Sequence, residues 1–153
     1  MRLARRVLYR CGMLTLTPEI EAVVSRIIGC AIAVHDAFGP GLLESVYRDC
    51  LRIELKAVGL SVKTEWRVPL FHRGEKVCGD LKVDLIVEDN VIVEIKSAER
   101  LHPVHLAQVI TYLKLADRPV GLLFNFNTTT LRRGGVRRVT HPDIYGKTKV
   151  FTE

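Results

Sequence analysis

Hydrophobic residues follow a helical period in two consecutive segments near the start of the chain. Thr17-Pro18-Glu19 supplies a capping hydroxyl, a proline at the first helical position and an acidic residue in the first turn. The apolar positions that follow recur at intervals of three and four residues: Ile20, Val23, Val24, Ile27, Ile28, Ala31 and Val34. Phe38-Gly39-Pro40-Gly41 ends this helix, and the pattern predicts a second helix from Leu42 to Val58, before Gly59.

From Val62 the period changes to two, which predicts a half-exposed strand as far as Leu70. Pro69 places this strand at a sheet edge or at its own end, because proline cannot donate to a central ladder. His72-Arg73-Gly74-Glu75 predicts a turn, and further strands are predicted over Lys76–Val87 and Val91–Lys96.

A helix beginning at Pro103 and ending near Ala116 separates the third strand from a fourth, predicted over Val120–Asn127. The fourth segment is almost continuously apolar, as in a central strand. A helix between two strands favours a parallel join. The sequence therefore predicts an α/β fold, with a mixed β-sheet core flanked by helices.

Length and composition fit one globular domain. We expect residues 1–16 to form a flexible N-terminal extension, with either Met1 or Met13 as the start, and residues 17–153 to form a single domain. The four cysteines are scattered and no apolar run is long enough to span a bilayer, so we expect no membrane association and a cytoplasmic setting.

The charge balance is moderately basic. There are 23 Lys and Arg against 17 Asp and Glu, which gives a net charge of +6. This excess suits a polyanionic partner such as nucleic acid without requiring one. A cluster of four arginines near the end of the chain is the candidate nucleic-acid-binding surface: Arg132, Arg133, Arg137 and Arg138.

The candidate site lies in the segment from Asp84 to Lys96. If Glu88-Asp89-Asn90 is a three-residue hairpin loop, Val87 faces Val91 and Asp84 faces Glu94. Asp84, Glu94 and Lys96 then share one face of the sheet. The opposite face forms core and holds Val83, Leu85, Val87, Val91, Val93 and Ile95.

Two carboxylates and an ammonium beside an apolar sheet need either each other or a metal ion. Asp84 and Glu94, with the backbone carbonyl of Ile95, could hold Mg²⁺, which prefers oxygen ligands. Lys96 could orient an attacking water or stabilise charge on a phosphate. The alternative is a surface Glu-Lys pair with no catalytic role.

Other polar residues occupy helical positions with two readings each. Glu44 is either a site residue or a partner of the helix dipole. His105, Gln108 and Tyr112 share one helix side, which either is solvated or hydrogen-bonds a substrate phosphate. His35 is either a catalytic base or a buried histidine satisfied near a helix end.

Several of these motifs together resemble a known family. Gly41-Leu42-Leu43-Glu44-Ser45-Val46-Tyr47 is similar to the signature of the GxxExxY proteins. The likeness runs from Thr17 to Val139 and also includes Ala33-Val34-His35, Glu94-Ile95-Lys96-Ser97 and Gly121-Leu122-Leu123-Phe124-Asn125-Phe126. That family belongs to the PD-(D/E)XK nuclease superfamily, although Val83 stands where the superfamily motif has proline.

The resemblance implies a restriction-endonuclease-like fold, metal ligation by Asp84 and Glu94, catalysis by Lys96, and supporting roles for Glu44 and Gln108. It implies a metal-dependent nuclease using Mg²⁺, with Mn²⁺ also possible, DNA as the favoured substrate and a homodimer as a possible assembly. The alternative is a non-catalytic module of the same fold that binds nucleic acid or protein.

Overall fold

A computed structural model describes residues 14–79, 81–145 and 150–152. Of the predicted extension, residues 1–13 lie outside this range, and Leu16 packs against the first core cluster. The elements are α1 (Pro18–Phe38), α2 (Glu44–Ala57), β1 (Val62–Val68), β2 (Phe71–His72), β3 (Glu75–Lys76), β4 (Leu81–Val87), β5 (Val91–Lys96), α3 (Pro103–Ala116), β6 (Val120–Asn125), β7 (Val136–Thr140), α4 (Pro142–Tyr145) and β8 (Val150–Thr152).

Six strands form one mixed sheet in the order β1-β4-β5-β6-β7-β8. Strands β5 and β6 are parallel and the other neighbours are antiparallel, which confirms the predicted parallel join across α3. Strand β1 lies at the edge and β6 lies inside the sheet, as predicted. Strands β2 and β3 form a separate small hairpin.

Helices cover both faces of the sheet. One core cluster joins α1 and α2 to the sheet and contains Tyr47, Leu51, Leu85, Val93 and Phe124 among its buried residues. A second cluster lies under α3 and includes Val68, Ile92, Val109, Leu113 and Leu123. Because apolar side chains project from both sides, β5 and β6 are buried along nearly their whole length.

The hairpin between β4 and β5 has the predicted register, with Leu85 opposite Val93 and Val87 opposite Val91. Glu88 and Asp89 have φ values of 51° and 54°, and the Asn90 N–H closes the turn by donating to the Val87 carbonyl at 3.0 Å. The three-residue loop therefore fixes which side chains meet across the strands.

Three sequence predictions need correction. The predicted strand Lys76–Val87 is split, because β3 ends at Lys76 and β4 begins only at Leu81. The segment after the fourth predicted strand has no regular pattern in the sequence, but it contains β7, which pairs with β6. The sequence predicts Val83 on the same face of the sheet as Leu85, but Val83 packs in the cluster under α3.

The exchange of faces at Val83 coincides with a distortion in β1. Glu65 has a φ of 47°, a left-handed conformation that is unusual inside a strand. Pairing with β4 continues on both sides of it, Thr64 with Leu85 and Trp66 with Val83. Val83 and Leu85, the neighbours of Asp84 in β4, therefore point to opposite faces of the sheet.

Candidate active site

Asp84 and Glu94 are held by the backbone of each other's strand. The Asp84 N–H donates to Glu94 Oε1 at 3.0 Å, and the Ile95 N–H donates to Asp84 Oδ2 at 2.8 Å. These two bonds from backbone to side chain join β4 and β5 beyond the last paired residues, Leu85 and Val93. Each carboxylate is therefore fixed by one oxygen, and its position depends on the hairpin register.

The Glu94 carboxyl group is almost completely enclosed, with only 3% of the residue exposed. Burial, followed by the negative charge of Asp84, raises the pKa of Glu94 to about 8, although the Asp84 N–H and Lys96 oppose this shift. Without a bound cation, Glu94 is therefore largely protonated at neutral pH. A strongly raised carboxyl pKa beside a second carboxylate is typical of functional sites.

Lys96 ends β5 on the same side of the strand as Glu94 and is half-buried. Its positive charge also reaches His105 at the start of α3. Burial, then Lys96 and His102, lower the pKa of His105, and Glu44 opposes this effect. The His105 Nδ1 accepts the His102 N–H at 3.0 Å, so the proton of the neutral ring is on Nε2.

Gln108 and Tyr112 lie one turn apart on α3 and form a pair, in which the Gln108 side-chain amide donates to the Tyr112 hydroxyl at 2.8 Å. Burial raises the pKa of Tyr112, and the charges of Glu94 and Asp84 raise it further. Tyr112 is therefore close enough to the two carboxylates to feel their charge, and a role for the polar side of α3 in substrate binding remains a prediction.

The start of α2 is fastened to the end of β5. The Ser97 N–H donates to Glu44 Oε1 at 3.2 Å, and the Ser97 hydroxyl donates to the Leu42 carbonyl at 3.1 Å. The Tyr47 hydroxyl donates to the Gly39 carbonyl and accepts the Leu42 N–H at 3.1 Å. Gly41, Glu44 and Tyr47 are spaced three residues apart. Tyr47 thus binds the loop that leads into α2, and Glu44 binds the end of β5.

Two side chains at this site were missed in the sequence. Arg48, one helix turn after Glu44, places Nη1 3.8 Å from Asp84 Oδ1. Asn125, opposite Lys96 in the parallel ladder, accepts the Ala98 N–H at 3.1 Å and donates to the Ala98 carbonyl at 3.0 Å. The spacing of four residues from Glu44 could have indicated Arg48.

Other predicted residues lie away from these carboxylates. His35 is buried, and its Nε2 lies 2.8 Å from the Thr128 carbonyl, so its contacts fit the structural reading. The four arginines do not form one patch, because Arg137 and Arg138 are adjacent on β7 and point to opposite faces. Arg138 forms an ion pair with Glu21 on α1, whereas Arg132 and Arg133 are exposed.

The metal-ligand set is small. Within residues 14–79, 81–145 and 150–152, no group of three or more His, Cys, Asp or Glu side chains could hold a metal ion. Asp84 and Glu94 remain, and two carboxylates suit Mg²⁺, which retains several waters and takes further oxygens from substrate. The residues present therefore fit such an ion. Ligation by the Ile95 carbonyl remains a prediction.

The chain thus has a mixed sheet flanked by helices, with an Asp and a Glu-x-Lys on the adjacent strands β4 and β5. The model of the PD-(D/E)XK nuclease superfamily matches residues 21–139, and the chain belongs to this superfamily. The restriction-endonuclease-like fold is thereby confirmed. Members of the superfamily generally use divalent metal ions.

Searches of curated proteins and of solved structures find no match to the chain. None of the helices in the described part of the chain is both long and apolar enough to cross a membrane.

Proposed function

We propose that this chain is a Mg²⁺-dependent nuclease that hydrolyses phosphodiester bonds in nucleic acid, with Mn²⁺ as an alternative ion and DNA as the favoured substrate. The observation that carries the proposal is that hydrogen bonds hold Asp84 beside the buried Glu94, so that a cation could bind both carboxylates. The raised pKa of Glu94 is also typical of functional sites. Membership of the nuclease superfamily supplies the reaction class.

Each residue then has a defined task. Asp84, Glu94 and the Ile95 carbonyl would hold Mg²⁺, which supplies Lewis acidity and acidifies bound water. Lys96 orients the attacking water and stabilises negative charge on the phosphate oxygens.

The remaining tasks fall to the two helices beside the strands. Gln108 and Tyr112 donate hydrogen bonds from α3, and His105 presents Nε2–H beside them. Glu44 supports the site through its bond to the Ser97 N–H.

The test is cleavage of end-labelled single-stranded, double-stranded and branched DNA and RNA, with Mg²⁺, with Mn²⁺ and with chelator. Glu94→Gln and Lys96→Met should each reduce the cleavage rate by roughly 100-fold or more. Glu75→Gln on the small hairpin and Lys114→Met on α3 change the same residue types at exposed positions and should leave the rate unchanged.

Failure to cleave any of these substrates with either ion would overturn the proposal. Binding that is salt-sensitive, insensitive to chelator and lost in Arg132→Ala or Arg133→Ala would instead support the non-catalytic binding module. Equal cleavage by parent and Glu94→Gln would mean that the activity is not from this site.

Finer features extend the proposal. We propose that the chain is one of the GxxExxY proteins; the motif from Gly41 to Tyr47 supports this, as do the hydrogen bonds that Tyr47 and Glu44 make. A cytoplasmic setting is supported by Cys30, Cys50 and Cys78, which are all free thiols.

A homodimer is also proposed. It is supported by exposed apolar positions along α2, where Val46 is 41% and Ile53 is 56% exposed. Light scattering that gives only the 17.3 kDa monomer across a range of concentrations would refute the dimer.

A further inference from the structure

Arg48 on α2 lies between two carboxylates from different strands. Its Nη1 is 3.8 Å from Asp84 Oδ1 on β4 and also 3.8 Å from Glu65 Oε1 on β1. Both distances are too long for a hydrogen bond, so neither carboxylate captures the guanidinium fully. The Arg48 Nε–H is buried and has no hydrogen-bond partner among the described residues.

The position of Arg48 relative to Asp84 matters for cation binding. Asp84 Oδ2 already accepts the Ile95 N–H, so we assign metal binding to Oδ1, the oxygen that keeps more lone-pair capacity. Arg48 faces this same oxygen. A guanidinium there neutralises Asp84 when the site holds no ion, and it repels an arriving divalent cation.

Glu65 is a second carboxylate with which the Arg48 guanidinium can pair. It occupies the left-handed position in β1, and the Lys82 ammonium donates to its Oε1 at 3.3 Å. This hydrogen bond, with the charges of Lys82 and Arg48, holds the pKa of Glu65 below its usual range, so the carboxylate is ionised at neutral pH. The distorted strand thus keeps an anion beside Arg48 that takes no part in metal ligation.

We propose that Arg48 is a positioning residue of the metal site: it is the resident counter-ion of Asp84 and moves toward Glu65 when a divalent ion takes Asp84 Oδ1. This inference rests on the proposed function, because it requires that Asp84 and Glu94 bind a metal. Arg48 opposes metal binding, and Glu65 favours it by receiving Arg48.

The test is calorimetric titration of the chain with Mn²⁺ alone, without nucleic acid. Arg48→Met should tighten Mn²⁺ binding by roughly tenfold, the effect of removing one positive charge about 5–6 Å from a divalent ion in a water-like dielectric. Glu65→Gln should weaken binding by roughly three- to tenfold. In Arg48→Met/Glu65→Gln the second change should have no further effect, because Arg48 is no longer there to be received.

Arg52→Met is the matched control, since Arg52 lies one turn further along α2, pairs with Asp49 and has a comparable side-chain exposure of 32% against 23%. It should leave Mn²⁺ affinity within twofold of the parent. Arg48→Lys should have an Mn²⁺ affinity between those of the parent and Arg48→Met, because it retains the positive charge.

The outcomes separate this inference from the proposed function. If the parent binds no Mn²⁺, both fail. If the parent binds Mn²⁺ but Arg48→Met binds it equally or more weakly while still unfolding cooperatively, only this inference fails. Equal tightening in Arg52→Met would also overturn it, by showing a general effect of net charge. If Arg48→Met does not fold, Arg48→Gln should tighten Mn²⁺ binding and Glu65→Gln should weaken it, and the opposite changes would overturn the inference.

Discussion

Replacing Glu94 with Gln should stabilise the metal-free protein at alkaline pH. In the folded chain, burial and Asp84 keep the Glu94 proton on the carboxyl up to a pKa of about 8, against a usual value of 4.5. In the unfolded chain that proton leaves near the usual value. Folded Glu94 therefore contributes its full stability below pH 4.5 and loses it as the pH rises toward 8 and through it. Gln carries no proton to lose.

The size of the effect follows from the width of that window. About 3.5 pH units separate the two pKa values, and each unit is worth about 1.4 kcal/mol, which gives an upper bound of about 5 kcal/mol. Water that enters the site on ionisation reduces this loss, so we expect Glu94→Gln to exceed the parent by about 2–5 kcal/mol at pH 9. The two chains should have similar stability at pH 4.5.

Urea unfolding at half-unit intervals from pH 4.5 to 9, in the presence of chelator, measures the difference directly. Taking the difference removes the titration of all other groups that the two chains share. Glu75→Gln, an exposed glutamate on the small hairpin, should show no such rise. A stability difference between Glu94→Gln and parent that stays constant with pH would refute the assignment of Glu94 as a buried, proton-retaining carboxyl.

Two further predictions concern the framework of the site. Tyr47→Phe removes the hydroxyl that bonds Gly39 and Leu42, and it should cost about 1–2 kcal/mol and weaken Mn²⁺ binding; an unchanged melting temperature in calorimetry would contradict this role. Gly121→Ala places a methyl 2.6 Å from the stiff Val109 side chain and should cost about 1–3 kcal/mol in urea unfolding. Its control, Gly29→Ala inside α1, meets no atom within 4 Å and should be neutral or stabilising, so destabilisation by both changes would point to another cause.

Residue periodicity and turn length predicted the elements around the site well. Strand β5 and helix α3 have the predicted bounds, and the hairpin register follows from its three-residue loop. The register also brings Asp84 and Glu94 together at the end of the paired segment, where hydrogen bonds from backbone N–H groups to carboxylates join the strands. Residues that face each other across one turn can thus be found from sequence.

Features that depend on the tertiary environment were not predictable in the same way. Val83 lies on the other face at the point where Glu65, on the neighbouring strand, adopts a left-handed conformation that no residue pattern indicates. Two adjacent arginines interrupt the alternation of polar and apolar residues in β7, so the sequence does not show it as a strand. Its place in the sheet is evident only from its pairing with β6, in which Arg137 and Arg138 lie opposite Leu123 and Leu122. The four-residue spacing from Glu44 points to Arg48, but its position between Asp84 and Glu65 depends on how α2 packs beside β1 and β4.

The hydrogen bonds that fix the two carboxylates also make the site observable from its own backbone. The amide protons of Asp84 and Ile95 point at carboxylate oxygens rather than at carbonyls. Their resonance frequencies therefore respond directly to the charge on Glu94 and Asp84, and their solvent exchange responds to how firmly each carboxylate is held. Two ordinary amide signals, one from each strand, can follow proton loss and ion binding without any added label.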